Sequence, residues 1–432
     1  MTHEAGADAR LARAAAERTA RHSYGRLVAV LATSSGDLAL AEDALADAFE
    51  SALLRWPRDG VPANTEGWLV TVARNRQRDV WKSVAFRSSV PYDEGADASG
   101  GALRAGAEAS ASGRVDRSGR PDPLDELDPF AIQDKRLELL AVCAHPAIDP
   151  TVRAPLMLQA VLGFDAAQIA TAFAVPQATM AQRLVRAKRR IALARIPFEI
   201  PERRQLGERV PALLEAVYGC AAISWRGDTA SLAGEAQYLA VVLATLLDRE
   251  PEAWGLAALV TLSLARRRPG AFVPLDEQDP AGWDAALLDE GEGYLRRASA
   301  HGGVPGRFQL EAAIQAVHAD RRRTGTTDWA ALRSLSTALV AIAPSLGARV
   351  ALAAVIGRTD GAEAGLGALP EASAALTFQP WWATRADLLL RSNRLDEARD
   401  AFQRAAALTD DPDVRAYLEA RGETQNGAAT RR

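Results

Sequence analysis

The sequence predicts an all-α protein in several parts, on three observations. Apolar residues recur at helical spacing through most of the 432 residues. Alternating runs of β-branched residues, the mark of strands, are scarce. One long acidic stretch rich in Gly, Ala and Ser separates the helical blocks. The blocks run over 8–92, 130–200 and 203–423, with the interruption at 93–129. Hydrophobic residues make up 48% and charged residues 25%, enough apolar material for packed cores, which excludes collagen-like and wholly disordered chains. The formal net charge of −4 gives no overall basicity that would signal nucleic acid. Two cysteines, Cys143 and Cys220, fit a reducing compartment and exclude a disulfide scaffold. The first residues lack the apolar core of a signal peptide, and the longest apolar run, Tyr238 to Leu247, is about half a membrane span. The chain therefore reads as cytoplasmic, with no membrane contact.

In the first block, Leu45, Phe49, Ala52, Leu53 and Trp56 fall on one helix face, which predicts their burial. Asp43, Asp47 and Glu50 fall within about 60° of one another on the opposite face, and Leu54 continues that stripe as an exposed apolar residue. From Asp37 to Glu50 there are five acids and no base. A solvated face is one reading. A docking surface for a basic partner explains both the uncompensated charge and Leu54.

After the turn Pro57 to Pro62, Asn64 or Thr65 caps a second helix running to about Ser88. Its predicted buried stripe is Leu69, Val72, Ala73 and Val80. Opposite stand Thr71, Arg74, Arg78 and Lys82, with Trp68 and Asn75 on the flank. Arg76 falls inside the apolar stripe, which predicts an ion pair with an acid of the neighbouring helix. Bases interleaved with Trp68, Trp81 and Phe86 suit single-stranded nucleic acid, since bases neutralise phosphates and aromatics stack on unpaired bases. Taken singly, Trp68 and Trp81 are equally explained as core.

The stretch from Asp93 to Asp128 carries nine acids and four bases and almost no large apolar residue, so it is expected to be a disordered linker. A flexible chain of that length has an r.m.s. span of about 35 Å and stretches past about 100 Å.

In the next block, Asp165 and Gln168 predict a capping box on a short helix that buries Ile169 and Phe173. Ala174-Val175-Pro176 makes a turn. The following helix buries Met180, Leu184, Ala187 and Ile191, leaving Gln182, Arg186 and Arg189 outward, flanked by Thr179, Arg183 and Arg190. Six bases and no acid lie between Thr179 and Arg195. A helix-turn-helix places such a helix in the major groove, where Arg bonds guanine and Gln bonds adenine. Lys188, set off that face, is expected on a phosphate.

In the last block, Trp382, Ala386, Ala398, Phe402 and Ala405 match the spacing of a tetratricopeptide repeat, and Trp254 with Ala258 opens a weaker copy. Such repeats stack helix pairs into a concave surface for a peptide or protein partner. A helical bundle that packs on the other domains is the plain alternative. The segment Asp276-Glu277-Gln278-Asp279-Pro280 with Trp283 stands out, without an evident chemistry. No catalytic constellation, metal-ligand spacing or phosphate loop is found, so no enzyme activity, cofactor or metal is expected.

Together the motifs resemble the extracytoplasmic-function sigma factors of bacterial RNA polymerase. Ala41-Glu42-Asp43-Ala44-Leu45-Ala46-Asp47-Ala48-Phe49 resembles their core-binding helix in region 2. Trp68-Leu69, Ala73-Arg74-Asn75 and Asp79 resemble the part that melts and reads the −10 element. Ala178 to Lys188 resembles the region 4 helix that reads the −35 element. Cys143-Ala144-His145-Pro146 and Ile196-Pro197-Phe198 are similar to the subgroup with a long tetratricopeptide-like extension. The sequence departs from that pattern at Ala46, Asp47 and Pro176, and lacks a segment expected after Val217-Tyr218. The resemblance implies core RNA polymerase binding by Asp43, Asp47, Glu50 and Leu54. It implies −10 DNA binding by Trp68, Arg74, Asn75, Arg78 and Lys82. It implies −35 DNA binding by Thr179, Gln182, Arg183, Arg186, Lys188, Arg189 and Arg190. The function implied is promoter-specific initiation modulated by the extension. A helix-turn-helix activator with a repeat sensor domain is the alternative; it needs neither the acidic helix nor the aromatic-basic one.

Overall fold

The computed structural model describes residues 2–89, 138–173, 175–198, 207–225, 230–267 and 270–429. The expected linker lies outside them, as do the side chains of Trp81 and Lys82. Among the described residues there are helices and turns and no strand. The chain divides into two compact units, the first ending at Gly219 and the second starting at Cys220.

The first unit opens with α1 (Thr2–Ser35), α2 (Leu38–Asp59) and α3 (Thr65–Ser89), each packed on the other two. Gly36 adopts φ 68° at the α1–α2 corner, a conformation most side chains disfavour. Asp37 then caps α2, accepting from the Ala39 and Leu40 amides at 3.0 and 3.2 Å. Asn64 caps α3 by accepting from the Gly67 amide at 2.8 Å. The buried face of α2 is Leu38, Ala41, Ala44, Leu45, Ala48, Ala52 and Trp56. This corrects the expected stripe: Leu45, Ala52 and Trp56 are buried, but Phe49 is half-buried and Leu53 is 46% exposed. The alanines decide the rotation, because a face of small side chains lets α2 lie close against its neighbours and turns Leu53 outward.

On α3, Leu69 and Ala73 are buried as expected and Val72 is half-buried. Val80, expected in the core, is exposed. Val70 and Gln77 line the buried face instead, and the Gln77 amide donates to the Leu31 carbonyl at 3.5 Å. The stripe runs Leu69, Val70, Ala73, Gln77, a helical spacing that a purely hydrophobic reading misses at its polar member.

Helical residues at 138–143 lead to α4 (Pro150–Ala160), α5 (Ala166–Ala172) and α6 (Gln177–Ala194), with α4 and α5 both packed on α6. The capping box forms: Asp165 accepts from the Ala167 and Gln168 amides, both at 2.8 Å, and Gln168 accepts from the Asp165 amide at 3.0 Å. Met180, Leu184, Ala187 and Ile191 are all buried, with Ile169. Phe173, expected beside Ile169, is only half-buried because it lies at the end of α5, where the chain turns. The unit closes within α7 (Val210–Trp225), the residues of that helix from Cys220 on being counted in the second unit; Arg209, just before it, donates to the Ala141 carbonyl at 2.8 Å.

The second unit continues through α8 (Ala230–Leu246), α9 (Pro251–Leu264), α10 (Ala285–Ala300), α11 (Arg307–Ala319), α12 (Arg321–Thr324), α13 (Trp329–Ile342) and α14 (Leu346–Thr359). It ends with α15 (Ala362–Ala368), α16 (Gln379–Arg391), α17 (Leu395–Ala407) and α18 (Pro412–Ala429). Each helix packs mainly on those near it in sequence. Helix α9 is buried all round from Ala253 to Leu262, the pattern of a central helix. Glu252 fastens α11 to it, accepting from the Phe308 and Gln309 amides at 2.9 and 3.0 Å. Ala386, Ala398, Phe402 and Ala405 meet in one buried cluster with Leu389, Ala401 and Leu418, and Trp382 packs against it. Trp254 and Ala258 are buried too.

Candidate nucleic-acid interface

Helix α2 presents an acidic and apolar strip. Asp43, Glu50 and Leu54 are exposed, Leu54 at 61%. Leu53 joins them, a residue the sequence reading assigned to the core. Asp47 is half-buried and its carboxylate accepts from the Arg76 guanidinium at 2.6 Å. The ion pair expected of Arg76 thus forms and ties α3 to α2, but Arg76 is exposed and not within the buried stripe where the spacing put it. The side chains stay 58% and 44% exposed, so the pair contributes at most about 1 kcal/mol.

On α3, Asn75 and Arg78 are exposed and Arg74 is half-buried. Trp68 stands edge-on to the buried Trp56, ring centroids 5.5 Å apart at 66°. It is half-buried, so one part of the ring is held by the core while another is open. Lys82 lies beyond the described side chains.

On α6, Thr179, Gln182, Arg183, Arg186, Arg189 and Arg190 are all exposed. Gln182, Arg186 and Arg189 share one face by helical spacing, and Val185, 65% exposed, lies beside them. Val185 is an apolar residue out of phase with the buried stripe, the one signal in the sequence that it faces outward.

Lys188 differs. It makes an ion pair with Glu42 of α2, the two side chains only 14% and 13% exposed. Burial raises the Glu42 carboxyl above its ordinary range even though Lys188 opposes the shift. The other Glu42 oxygen has no hydrogen-bond partner. Behind the pair lie Tyr24, whose hydroxyl burial pushes up, and the wholly buried Cys143 thiol, likewise raised by burial. The two helical sets also touch at Gly25, where a Cβ would stand 1.6 Å from the Val161 carbonyl oxygen. Only glycine permits that approach. The acidic helix and the basic helix are thus held together in the first unit.

Among the described residues no group of three or more His, Cys, Asp or Glu side chains could hold a metal ion. None of the described helices is long and apolar enough to cross a membrane.

Sigma-70 region 2 matches residues 20–86, the stretch that holds α2 and most of α3. A family of unknown function, DUF6596, matches residues 209–299. An uncharacterized protein of Rhizobium meliloti (strain 1021) is 34% identical over 394 residues, which cover 88% of this chain and 89% of its own. No solved structure matches the chain.

Proposed function

We propose that the chain is a sigma-70 family transcription initiation factor of the extracytoplasmic-function type, a reading supported by the match of residues 20–86 to sigma-70 region 2. In this reading it carries core RNA polymerase to promoters through Asp43, Glu50, Leu53 and Leu54 of α2. Asp47 serves mainly to hold Arg76. Trp68, Arg74, Asn75, Arg78 and Lys82 engage the −10 element. Thr179, Gln182, Arg183, Arg186, Arg189 and Arg190 engage the −35 element, and Val185 is placed to meet a thymine methyl group.

The observation that carries the reading is the pairing, in one unit, of an exposed acidic and apolar strip on α2 with the basic face of α6. An activator that used α6 alone would have no need of the strip. Two promoter elements about two helical turns apart are about 70 Å apart, so the contact between Glu42 and Lys188 must part when both are read. The linker length allows it. We assign the extension a modulating role: a chain ending at Trp225 should initiate less well than the intact one.

DNase I footprinting on genomic promoter fragments tests the reading. Protection of two blocks about two helical turns apart, appearing only when core polymerase and the chain are both present, is expected. A single protected block formed by the chain alone would favour the activator.

A further inference from the structure

The segment between α9 and α10 does something the repeat pattern does not ask of it. Its neck is closed by the Asp284 amide donating to the Ala265 carbonyl at 2.9 Å. Trp283 is buried there among Leu262, Ala265, Leu288 and Ala319, with Leu275 packed against the group. Beyond the neck, residues 274–278 make one tight turn, the Glu277 and Gln278 amides donating to the Pro274 carbonyl at 2.9 and 3.1 Å.

Three guanidiniums from distant parts of the chain converge on that turn. Arg321 of α12 donates to the Leu275 carbonyl at 2.9 Å and to that of Gln278. Arg358 of α14 pairs with Asp276. Arg421 of α18 stands 3.5 Å from the Glu277 carboxylate, to which the Tyr417 hydroxyl donates at 3.3 Å. Phe272 meets Tyr417 edge-on, centroids 5.4 Å apart. In a stack where each helix pair touches only its neighbours, a turn that reaches α12, α14 and α18 at once lies where the curve brings them together.

We propose that this convergence of Arg321, Arg358 and Arg421 is a binding site for an acidic peptide turn preceded by an aromatic residue, and that residues 272–279 are its built-in occupant. A partner protein bearing such a segment exchanges with it. Two features favour exchange over a permanent strut. Glu277 and the ring of Phe272 remain exposed at their outer sides, and the Glu277–Arg421 pair, its side chains 45% and 37% exposed, is of the kind that holds weakly. The buried anchor Trp283 lies at the neck, outside residues 272–279, and stays in place while the turn leaves. The proposal does not depend on promoter recognition.

The test uses the full chain and a fluorescein-labelled peptide copying residues 270–280, followed by anisotropy. A tethered occupant acts at an effective concentration of order millimolar, so the unaltered chain should take up the peptide poorly. The variant Asp276→Asn with Glu277→Gln deprives Arg358 and Arg421 of their carboxylate partners and should bind the peptide at least about tenfold more tightly, as a competitor at that concentration demands. The same peptide carrying the two amide changes should not bind it. Adding Arg358→Gln to the freed variant should abolish uptake. If the freed variant, with unchanged helical circular dichroism, binds the acidic and amide peptides equally, or binds neither, the turn is a structural strut and the proposal fails.

Discussion

Lys188 of the basic helix α6 and Glu42 of the acidic helix α2, 146 residues apart in sequence, form a buried ion pair. Desolvation outweighs the attraction on Glu42, whose carboxyl titrates above its ordinary range. A buried pair of that kind fixes register more than it adds stability. On the proposed function, it suits a contact that opens when two distant promoter elements are read. Lys188→Glu places two acids in the same buried spot, an uncompensated charge that costs about 3–5 kcal/mol. The expected result is an expanded first unit, seen as a larger radius of gyration by small-angle scattering and a longer fluorescence-transfer distance between α2 and α6. An unaltered distance would show that the pair does not hold the helices together.

Asp43→Lys with Glu50→Lys should abolish core-polymerase binding and leave the fold intact, because both side chains are exposed and surface substitutions of this kind stay within about 0.5 kcal/mol. Asp47 is the less clean target, since its loss also frees Arg76. Unchanged affinity in the double variant, measured by anisotropy against purified core enzyme, would remove α2 from the polymerase contact.

Arg186→Ala should cost about 1–3 kcal/mol at one −35 position and relax specificity there, as for an arginine on a base edge. Arg190, whose guanidinium also lies near the Ala147 carbonyl at 3.4 Å, should behave as a phosphate contact. Its loss should weaken all sequences alike and flatten the salt dependence. Binding of a panel of single-base −35 variants, measured with polymerase present, separates the two. A uniform loss for Arg186 would mark it as a positioning residue.

His318 gives the second unit a pH dependence. Burial, reinforced by Arg266 and Arg321 and opposed by Asp276, lowers its imidazole from 6.5 to about 4. The unfolded chain therefore binds a proton between those values that the folded chain does not. Stability is full above the unfolded value and falls as pH drops through the window, by up to about 1.4 kcal/mol per pH unit. Urea unfolding at pH 7 and pH 5 should show His318→Gln losing about 2 kcal/mol less than the unaltered chain over that interval. Equal losses would mean that His318 is protonated in the fold.

Much of the arrangement was legible in the sequence where one physical rule governs a residue. The capping box at Asp165 and Gln168 and the four buried residues of α6 each follow from spacing alone. The misses share a cause. Leu53 and Val80 are apolar residues at plausible phases that the fold turns outward, because alanines on α2 and the polar Gln77 on α3 set the buried faces. Hydrophobicity ranks side chains but does not show how closely two helices approach. The contact of Lys188 with Glu42 was out of reach for another reason. It joins segments on either side of residues 90–137, whose sequence carries no record of what lies at their ends.

Transcription by purified core RNA polymerase on genomic DNA fragments, with and without the chain and with transcript 5′ ends mapped, tests the central claim most directly. A sigma factor should convert a core enzyme that starts at random into one that starts at discrete sites, each preceded by two shared sequence elements. The Asp43→Lys, Glu50→Lys variant should lose that effect. Discrete starts that form only when another sigma factor is supplied, or none at all although the chain binds core enzyme and DNA, would contradict the account.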